Sequence, residues 1–367
     1  INYTSFPNDV KKGENILVDD GKIILKVLNT DRNQNVRLKV IQGGILSSNK
    51  GVNLPNTKVS LPALTQKDIK DAKLAIKLEF DWIALSFVRS KNDVILLKNL
   101  IENNTEELIP IIAKIEKPQA IKKMDEIIKV ANGIMVARGD LGIEVPAEEV
   151  PLYQKALVKK ANEARKPVIV ATQMMESMIE NLTPSRAEVN DVANSVIDGA
   201  DCIMLSAETS VGKYPCQVVK KVGEIIIGVE GAQPIKHKFS LPKIKSKRII
   251  TKTICRHAAL IANEINAAAV CTLTHSGYTG WQISSWRPNC LVIVFTSNKR
   301  ILSQLNLLWG VKSIYYNKFQ STDKTVEDVN HLAINNRYVK KGDIVVNLAS
   351  MPIKDRGQVN TLRISQL

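Results

Sequence analysis

Apolar residues along this chain fall into three successive rhythms, and each predicts a different kind of structure. Up to about residue 57, apolar and polar positions alternate. Ile16-Leu17-Val18 and residues 22–28 flank Asp19-Asp20-Gly21, and residues 36–41 form another such run before Gly43-Gly44. Alternation at period two predicts strands, and Asp-Gly readily takes the positive φ of a hairpin turn. A few strands alone rarely close a core, so this β unit looks incomplete. From about 58 to 230, short continuous apolar runs at 82–85, 109–115, 133–137, 167–171 and 202–205 alternate with helical stretches. In residues 186–198, Val189, Val192, Ala193, Val196 and Ile197 follow helical spacing, and Gly199 suits the helix end. Repeated βα units predict a parallel sheet, either open and doubly wound or closed as an eight-stranded barrel. Pro234, Pro242 and the basic run at 243–248 mark a boundary. Beyond it the pattern predicts a helix at 250–265 and strands at 268–273, 291–295, 313–316 and 343–348. The expected domains are therefore 1–57, 58–230 and 248–367.

Composition narrows the class. A chain of 367 residues with 44% hydrophobic and 24% charged residues is globular, and it can build more than one core. The net charge of +15 points to acidic partners, with phosphorylated small molecules ahead of nucleic acid because the basic residues are spread along the chain. Its one dense basic run, 243–248, reads as a solvated connector. Five cysteines without a CxxC pair predict reduced thiols and a reducing compartment, hence the cytoplasm. No apolar run is long enough to span a membrane, and no signal peptide is seen. The chain begins with Ile1, which suggests a natural start further upstream.

The chemistry gathers at the C-terminal ends of the middle strands. Those ends carry Ser86, Lys114 with Glu116, Arg138-Gly139-Asp140, Thr172-Gln173, and Ser206 with Glu208. In parallel α/β folds, loops and helix N-termini converge on that edge and ligands bind there. Lys114 and Glu116 stand two residues apart on a strand, so they emerge on one side, as an ion pair or as a phosphate-handling and metal-binding couple. Glu116 and Asp140 are hard oxygen donors that suit Mg²⁺, which keeps waters and leans on substrate phosphates. Taken singly, Glu116 could pair with Lys114, Asp140 could cap a helix, and the Thr172 hydroxyl could satisfy backbone. Together they favour the metal reading. Gly139 lets backbone approach a ligand, with free N–H groups for a carboxylate or phosphate.

In the last region, Thr274, Ser276, Gly277, Tyr278 and Thr279 directly follow a strand. They form either a phosphate nest or an ordinary hydroxyl-rich loop. Trp281 and Trp286 nearby read as packing residues rather than base-stacking platforms. The four histidines do not cluster, and neither a Walker loop nor a dinucleotide-binding glycine fingerprint occurs.

These stretches resemble the pyruvate kinase family. Residues 109–121, the Gly-Ile-Met-Val-Ala-Arg-Gly-Asp-Leu-Gly run at 133–142, Ala-Thr-Gln-Met-Met-Glu-Ser-Met at 171–178 and the 198–215 stretch with Leu-Ser-Ala-Glu-Thr resemble its blocks in order. Lys50-Gly51-Val52-Asn53-Leu54-Pro55 is similar to the return from its small β lid into the barrel. The resemblance implies an α/β protein: a partial (β/α)8 barrel, a lid remnant at 1–57 and a C-terminal effector and assembly domain. It implies phosphoryl transfer from phosphoenolpyruvate to ADP, giving pyruvate and ATP in glycolysis. Lys114 would neutralise charge on the transferring group and the enolate. Glu116 and Asp140 would hold Mg²⁺, with Mn²⁺ as a substitute, and a second Mg²⁺ would arrive on the nucleotide. Backbone N–H groups around Arg138, Gly139 and Asp140 would bind the substrate carboxylate beside Ser86. Thr172 would sit next to the methylene carbon, and Lys50 would contact nucleotide.

A family barrel has three strands before the lid, whereas five follow it here. The substrate-binding arginine and the ligands for K⁺ belong to that earlier part, so the chain reads as the C-terminal part of a family member. The alternative is a catalytically incompetent fragment or paralogue that binds ligands or assembles with intact subunits. For the full-length form the resemblance implies a homotetramer. His275 and Tyr278 depart from the usual effector loop, and residues 354–358 are poorer in glycine than the sugar-bisphosphate-binding form. A phosphorylated effector is expected, without its identity.

Overall fold

A computed structural model describes the whole chain except residues 2, 20, 49, 233–247, 319–320 and 352–357, and the side chain of residue 322. The connector prolines Pro234 and Pro242, His237, most of the basic run and most of the 354–358 loop therefore lie outside the described residues. The chain divides into two compact units: residues 1–160, 168–189 and 203–218 form the first, and 161–167, 190–202 and 219–367 the second.

The first unit begins with a four-stranded antiparallel sheet of order β3-β2-β1-β4. Its strands are β1 (Asn15–Val18), β2 (Ile23–Thr30), β3 (Val36–Gln42) and β4 (Val52–Asn53). The hairpin expected at Asp19–Gly21 is present: Val18 pairs with Ile23, and Asp19 and Gly21 have φ of 53° and 84°. Alternation along these strands turns Ile16, Val18, Ile23 and Val27 inward, where Phe6, Val10 and Leu54 complete a small core. The lid sequence thus does close a core of its own, with help from the N-terminal turn.

The barrel-type part contributes β5 (Ile83–Leu85), β6 (Ile111–Ile115), β7 (Gly133–Ala137), β8 (Val168–Ala171) and β9 (Cys202–Met204), hydrogen-bonded in chain order. The β5–β6, β6–β7 and β7–β8 pairs are parallel. Strands β7 and β8 are buried at every position, as their uninterrupted apolar runs require. Helix Arg186–Asp198 has the bounds its periodicity predicts, and Gly199 follows with φ of 100°. Its buried stripe is narrower than expected: Val192, Ser195 and Val196 are inside, whereas Ile197 is 50% exposed.

The second unit holds β10 (Ala269–Leu273), β11 (Leu291–Thr296), β12 (Val311–Tyr315), β13 (Ile344–Ala349) and β14 (Thr361–Gln366), in the order β12-β11-β10-β13-β14. The first four run parallel and β14 is antiparallel to β13. Apolar clusters cover both faces, one including Val270, Val292 and Val294 and the other Cys271, Ile293 and Phe295. Strand β14 adds an edge that the sequence reading did not include.

Candidate active site

Three sets of side chains meet at the C-terminal ends of the first unit's parallel strands. The first lies between β5 and β6. Lys114 Nζ donates to Ser86 Oγ at 3.1 Å and stands 2.6 Å from Glu116 Oε1, so the couple expected from i, i+2 spacing is formed. Glu116 is only 1% exposed, and its Oε2 accepts the Phe87 N–H at 2.5 Å. Its Oε1 has the lysine charge beside it but no aligned hydrogen bond. Phe87 reaches this position with φ of 53°, a conformation that costs a non-glycine residue energy and recurs at functional sites.

The second set joins β7 to β8. The Gly139 N–H donates to Thr172 Oγ1 at 2.8 Å, and the Thr172 hydroxyl donates to the Ala171 carbonyl at 2.6 Å. A Cβ at residue 139 would lie 3.2 Å from Thr172 Oγ1, so glycine is what permits this approach. Thr172 and Gln173 both adopt positive φ, 71° and 54°. Their carbonyls accept from Arg138 Nη2 at 2.6 and 3.3 Å, and the same nitrogen is 2.7 Å from Met174 Sδ. Arg138 is buried and directs its guanidinium into the protein to hold the strained turn. Glu208, 3% exposed, braces that turn from the short helix Ala207–Ser210 after β9, accepting from the N–H groups of Met175 and Ser206.

The third set was not legible as a set. Lys117 Nζ lies 2.5 Å from Glu144 Oε1 and 5.5 Å from the centre of the Phe87 ring, and Asn53 Nδ2 on β4 donates to the same carboxylate oxygen at 3.1 Å. Lys117 follows directly on Lys114-Ile115-Glu116, and that adjacency was the one available signal. Glu144 stands too far along the chain to be paired by inspection.

Lys117, Ser86, Phe87 and Asp140 line a cavity of about 980 Å³, together with Val52 and Asn53 of the lid. That volume is within the range of small-molecule sites. Asp140 is partly exposed, in the first turn of the short helix Arg138–Glu144. Among the described residues no three His, Cys, Asp or Glu side chains group as a metal site. Glu116 and Asp140 are hard carboxylate donors at neighbouring strand ends, and their chemistry fits a divalent cation that takes its other ligands from water and substrate.

Other candidates are placed differently. Lys50 lies 2.9 Å from Asp19 Oδ1, and its hydrogen bond holds the Asp19 carboxyl below its usual range. In the second unit the Thr274 N–H donates to the Phe295 carbonyl, and Gly277, at φ of 76°, precedes helix Tyr278–Ser284. Ser276 is exposed, Thr274 and Tyr278 are half-buried and Thr279 is buried. The loop thus offers hydroxyls to solvent at Ser276, while Thr279 faces the core. Burial pushes the Tyr278 phenol above its usual value. No described helix is long and apolar enough to cross a membrane.

Comparison with known proteins places the chain in a family. Residues 1–219 match the family described as "Pyruvate kinase, barrel domain", and residues 252–365 match "Pyruvate kinase, alpha/beta domain". A pyruvate kinase of Sporosarcina psychrophila is 41% identical over 99% of this chain, and one of Corynebacterium glutamicum is 41% identical over all of it. The chain spans 62% of the first relative's length and 75% of the second's. The crystal structure of a pyruvate kinase from Cryptosporidium parvum superposes with a TM-score of 0.90 at 33% identity, covering 99% of this chain and 74% of that one. Both family domains, in order and over nearly every residue, establish that the chain belongs to the pyruvate kinase family.

Proposed function

We propose that the protein transfers the phosphoryl group of phosphoenolpyruvate to ADP, yielding pyruvate and ATP, and that the site is the strand-end cluster around Lys114, Glu116, Asp140 and Thr172. The observation that carries this reading is the Lys114–Glu116 couple, its lysine bonded to Ser86 Oγ, with Ser86 and Asp140 both lining the cavity. Lys114, held by Ser86 and Glu116, presents a fixed cation to the transferring phosphoryl group and to the enolate oxygen it leaves. Preorganised charge of this kind is the main catalytic device in phosphoryl transfer.

Glu116 and Asp140 would hold Mg²⁺, or Mn²⁺ in its place, which when bound supplies charge neutralisation between phosphate and enolate oxygens. The backbone N–H groups of Arg138 and Asp140 receive the substrate carboxylate, with Ser86 beside it, while that of Gly139 stays on Thr172. Because Thr172 already accepts the Gly139 N–H and donates to Ala171, its hydroxyl has a fixed orientation from which to serve the methylene carbon as that carbon gains a proton. Lys50 reaches the nucleotide by exchanging its Asp19 partner. By family membership, K⁺ dependence, assembly as a homotetramer, a cytoplasmic location and a phosphorylated effector near residues 274–279 belong to the same reading.

The test is ADP-dependent pyruvate formation from phosphoenolpyruvate with Mg²⁺, in the wild type, Glu116→Gln and Lys114→Met. Each substitution is expected to lower kcat by about 10²–10³. Mn²⁺ binding, followed separately, should be lost in Glu116→Gln and kept in Lys114→Met. Full activity in either variant overturns the assignment.

A further inference from the structure

Phe87 holds a conformation that the packing of its own side chain does not explain. Its φ of 53° is unfavourable for a residue with a Cβ, yet its ring is 52% exposed. The chain on either side is fixed, since Leu85 ends β5 and Val88 is completely buried. The turn between them serves the strand-end couple twice. Ser86 Oγ accepts from Lys114 Nζ at 3.1 Å, and the Phe87 N–H donates to Glu116 Oε2 at 2.5 Å. With Val88 anchored, relaxing Phe87 to negative φ would rotate the Ser86–Phe87 peptide plane and take its N–H away from Glu116.

Lys117 covers the exposed ring. Its Nζ lies 5.5 Å from the ring centre, close enough for a cation–π contact. At an exposed ring such a contact shifts a local equilibrium by about two- to fivefold. Lys117 is itself held, its Nζ 2.5 Å from Oε1 of buried Glu144, and Asn53 Nδ2 donates to the same oxygen at 3.1 Å. A buried carboxylate needs a donor, but it does not need that donor above an aromatic face. The position of Lys117 over Phe87 is therefore what the ion pair alone leaves unexplained.

We propose that Lys117 is a positioning residue for Glu116. Clamped by Glu144, it steadies the Phe87 ring, and the Phe87 N–H in turn fixes the orientation of the Glu116 carboxylate. Through Asn53 the same device is tied to strand β4 of the lid. The inference rests on the reading of Glu116 as a ligand for a divalent cation, and it adds Lys117 and Phe87 to the parts that orient that ligand.

Mn²⁺ binding to the whole chain, followed by electron paramagnetic resonance, tests this, with urea unfolding of each variant alongside. Lys117→Met and Phe87→Ala are each expected to raise the Mn²⁺ dissociation constant about two- to fivefold. Lys117 lines the same cavity as Asp140, so removing its charge would by itself tighten the binding of a cation. Weaker binding in Lys117→Met thus has the sign expected of positioning. Phe87→Gly should keep wild-type affinity, because glycine takes positive φ without support from a ring. Lys117→Met added to Phe87→Gly should then leave Mn²⁺ affinity where it is, while still lowering the urea midpoint. Phe87 is exposed, so its two variants keep the test open should Lys117→Met fold poorly. Wild-type affinity in Phe87→Ala, or an equal loss from Lys117→Met with and without Phe87→Gly, overturns the inference alone when Glu116→Gln still abolishes binding. Mn²⁺ binding that survives Glu116→Gln overturns the reading of the site, and the inference with it.

Discussion

The two units hold their charged groups in different ways. In the first, Glu116, Glu144 and Glu208 are buried acids, each held by one lysine or by backbone N–H groups. In the second, Arg165, Arg248 and Arg256 rest on ring faces, and among the described residues none has an acidic partner. A buried acid must have its charge met within the fold, whereas a guanidinium on a ring face keeps its N–H donors, a difference that the chain's overall +15 does not reveal.

The comparison breaks first, and with the largest effect, if function fails to segregate. Glu116→Gln should remove about 10²–10³ of kcat and abolish Mn²⁺ binding, whereas Arg256→Gln should leave both unchanged. Turnover and Mn²⁺ titration on both variants check this, and an equal loss in Arg256→Gln would overturn it.

The next effect concerns how the acids are held. Lys117→Met leaves Glu144 buried, its side chain 1% exposed, with only the Asn53 amide as donor. It should cost about 3 kcal/mol in urea unfolding, the usual result of stripping one partner from a buried pair. Glu144→Gln keeps an acceptor for Asn53 and leaves Lys117, 17% exposed, facing the cavity, so it should cost about 1 kcal/mol. Equal costs would show that the pair, and not the burial of its acid, sets the stability of the first unit's site.

Two glycines sharpen the contrast further. A Cβ at residue 280 would come within 2.9 Å of Val294 Cγ2, in the packed core of the second unit. Gly280→Ala should therefore cost about 1–2 kcal/mol by overpacking and leave kcat alone. At residue 139 the neighbour is the Thr172 hydroxyl at 3.2 Å, which can shift by a rotamer. Gly139→Ala should cost less than about 1 kcal/mol of stability yet lower kcat about tenfold, because Thr172 loses its orientation. Thermal unfolding and turnover measured on both variants decide the matter.

Much of this was legible because burial on both faces writes itself into a sequence. Strand β7 and helix Arg186–Asp198 have the bounds that their apolar patterns predict, and the Lys114–Glu116 couple follows from strand geometry alone. Contacts between distant segments were not legible. Arg138 stands beside the expected carboxylate site, but its guanidinium turns inward to Thr172, Gln173 and Met174 across some 35 residues of chain. The exposure of Ile197 could not be read either, since periodicity names the apolar side of a helix without saying how far the neighbouring structure covers it. Strand β14 (Thr-Leu-Arg-Ile-Ser-Gln) alternates well enough to be a strand, but as a half-exposed edge it carries little apolar signal.

The smallest expected effect is a pH dependence that sets a well-solvated acid of the first unit against the buried ones. Glu188 accepts from the N–H groups of Ser177 and Ser185 at 2.6 and 2.7 Å and from both their hydroxyls. Partial burial alone would raise its carboxyl. The Ser177 and Ser185 hydrogen bonds outweigh that, and the net result is a carboxyl below its usual value of 4.5. A carboxyl whose pKa falls on folding stabilises the protein above the unfolded value and loses that contribution as the pH drops through the folded value. Glu188→Gln should therefore be less stable than the wild type at pH 7, and the gap should close below about pH 4.5 as the wild-type carboxylate takes up its proton. The difference in urea midpoint between the two proteins, followed from pH 7 to pH 3, reads this directly. A gap that stays constant across that range would mean that the serines hold Glu188 by geometry alone, and that its charge has no part in the way this unit keeps its acids.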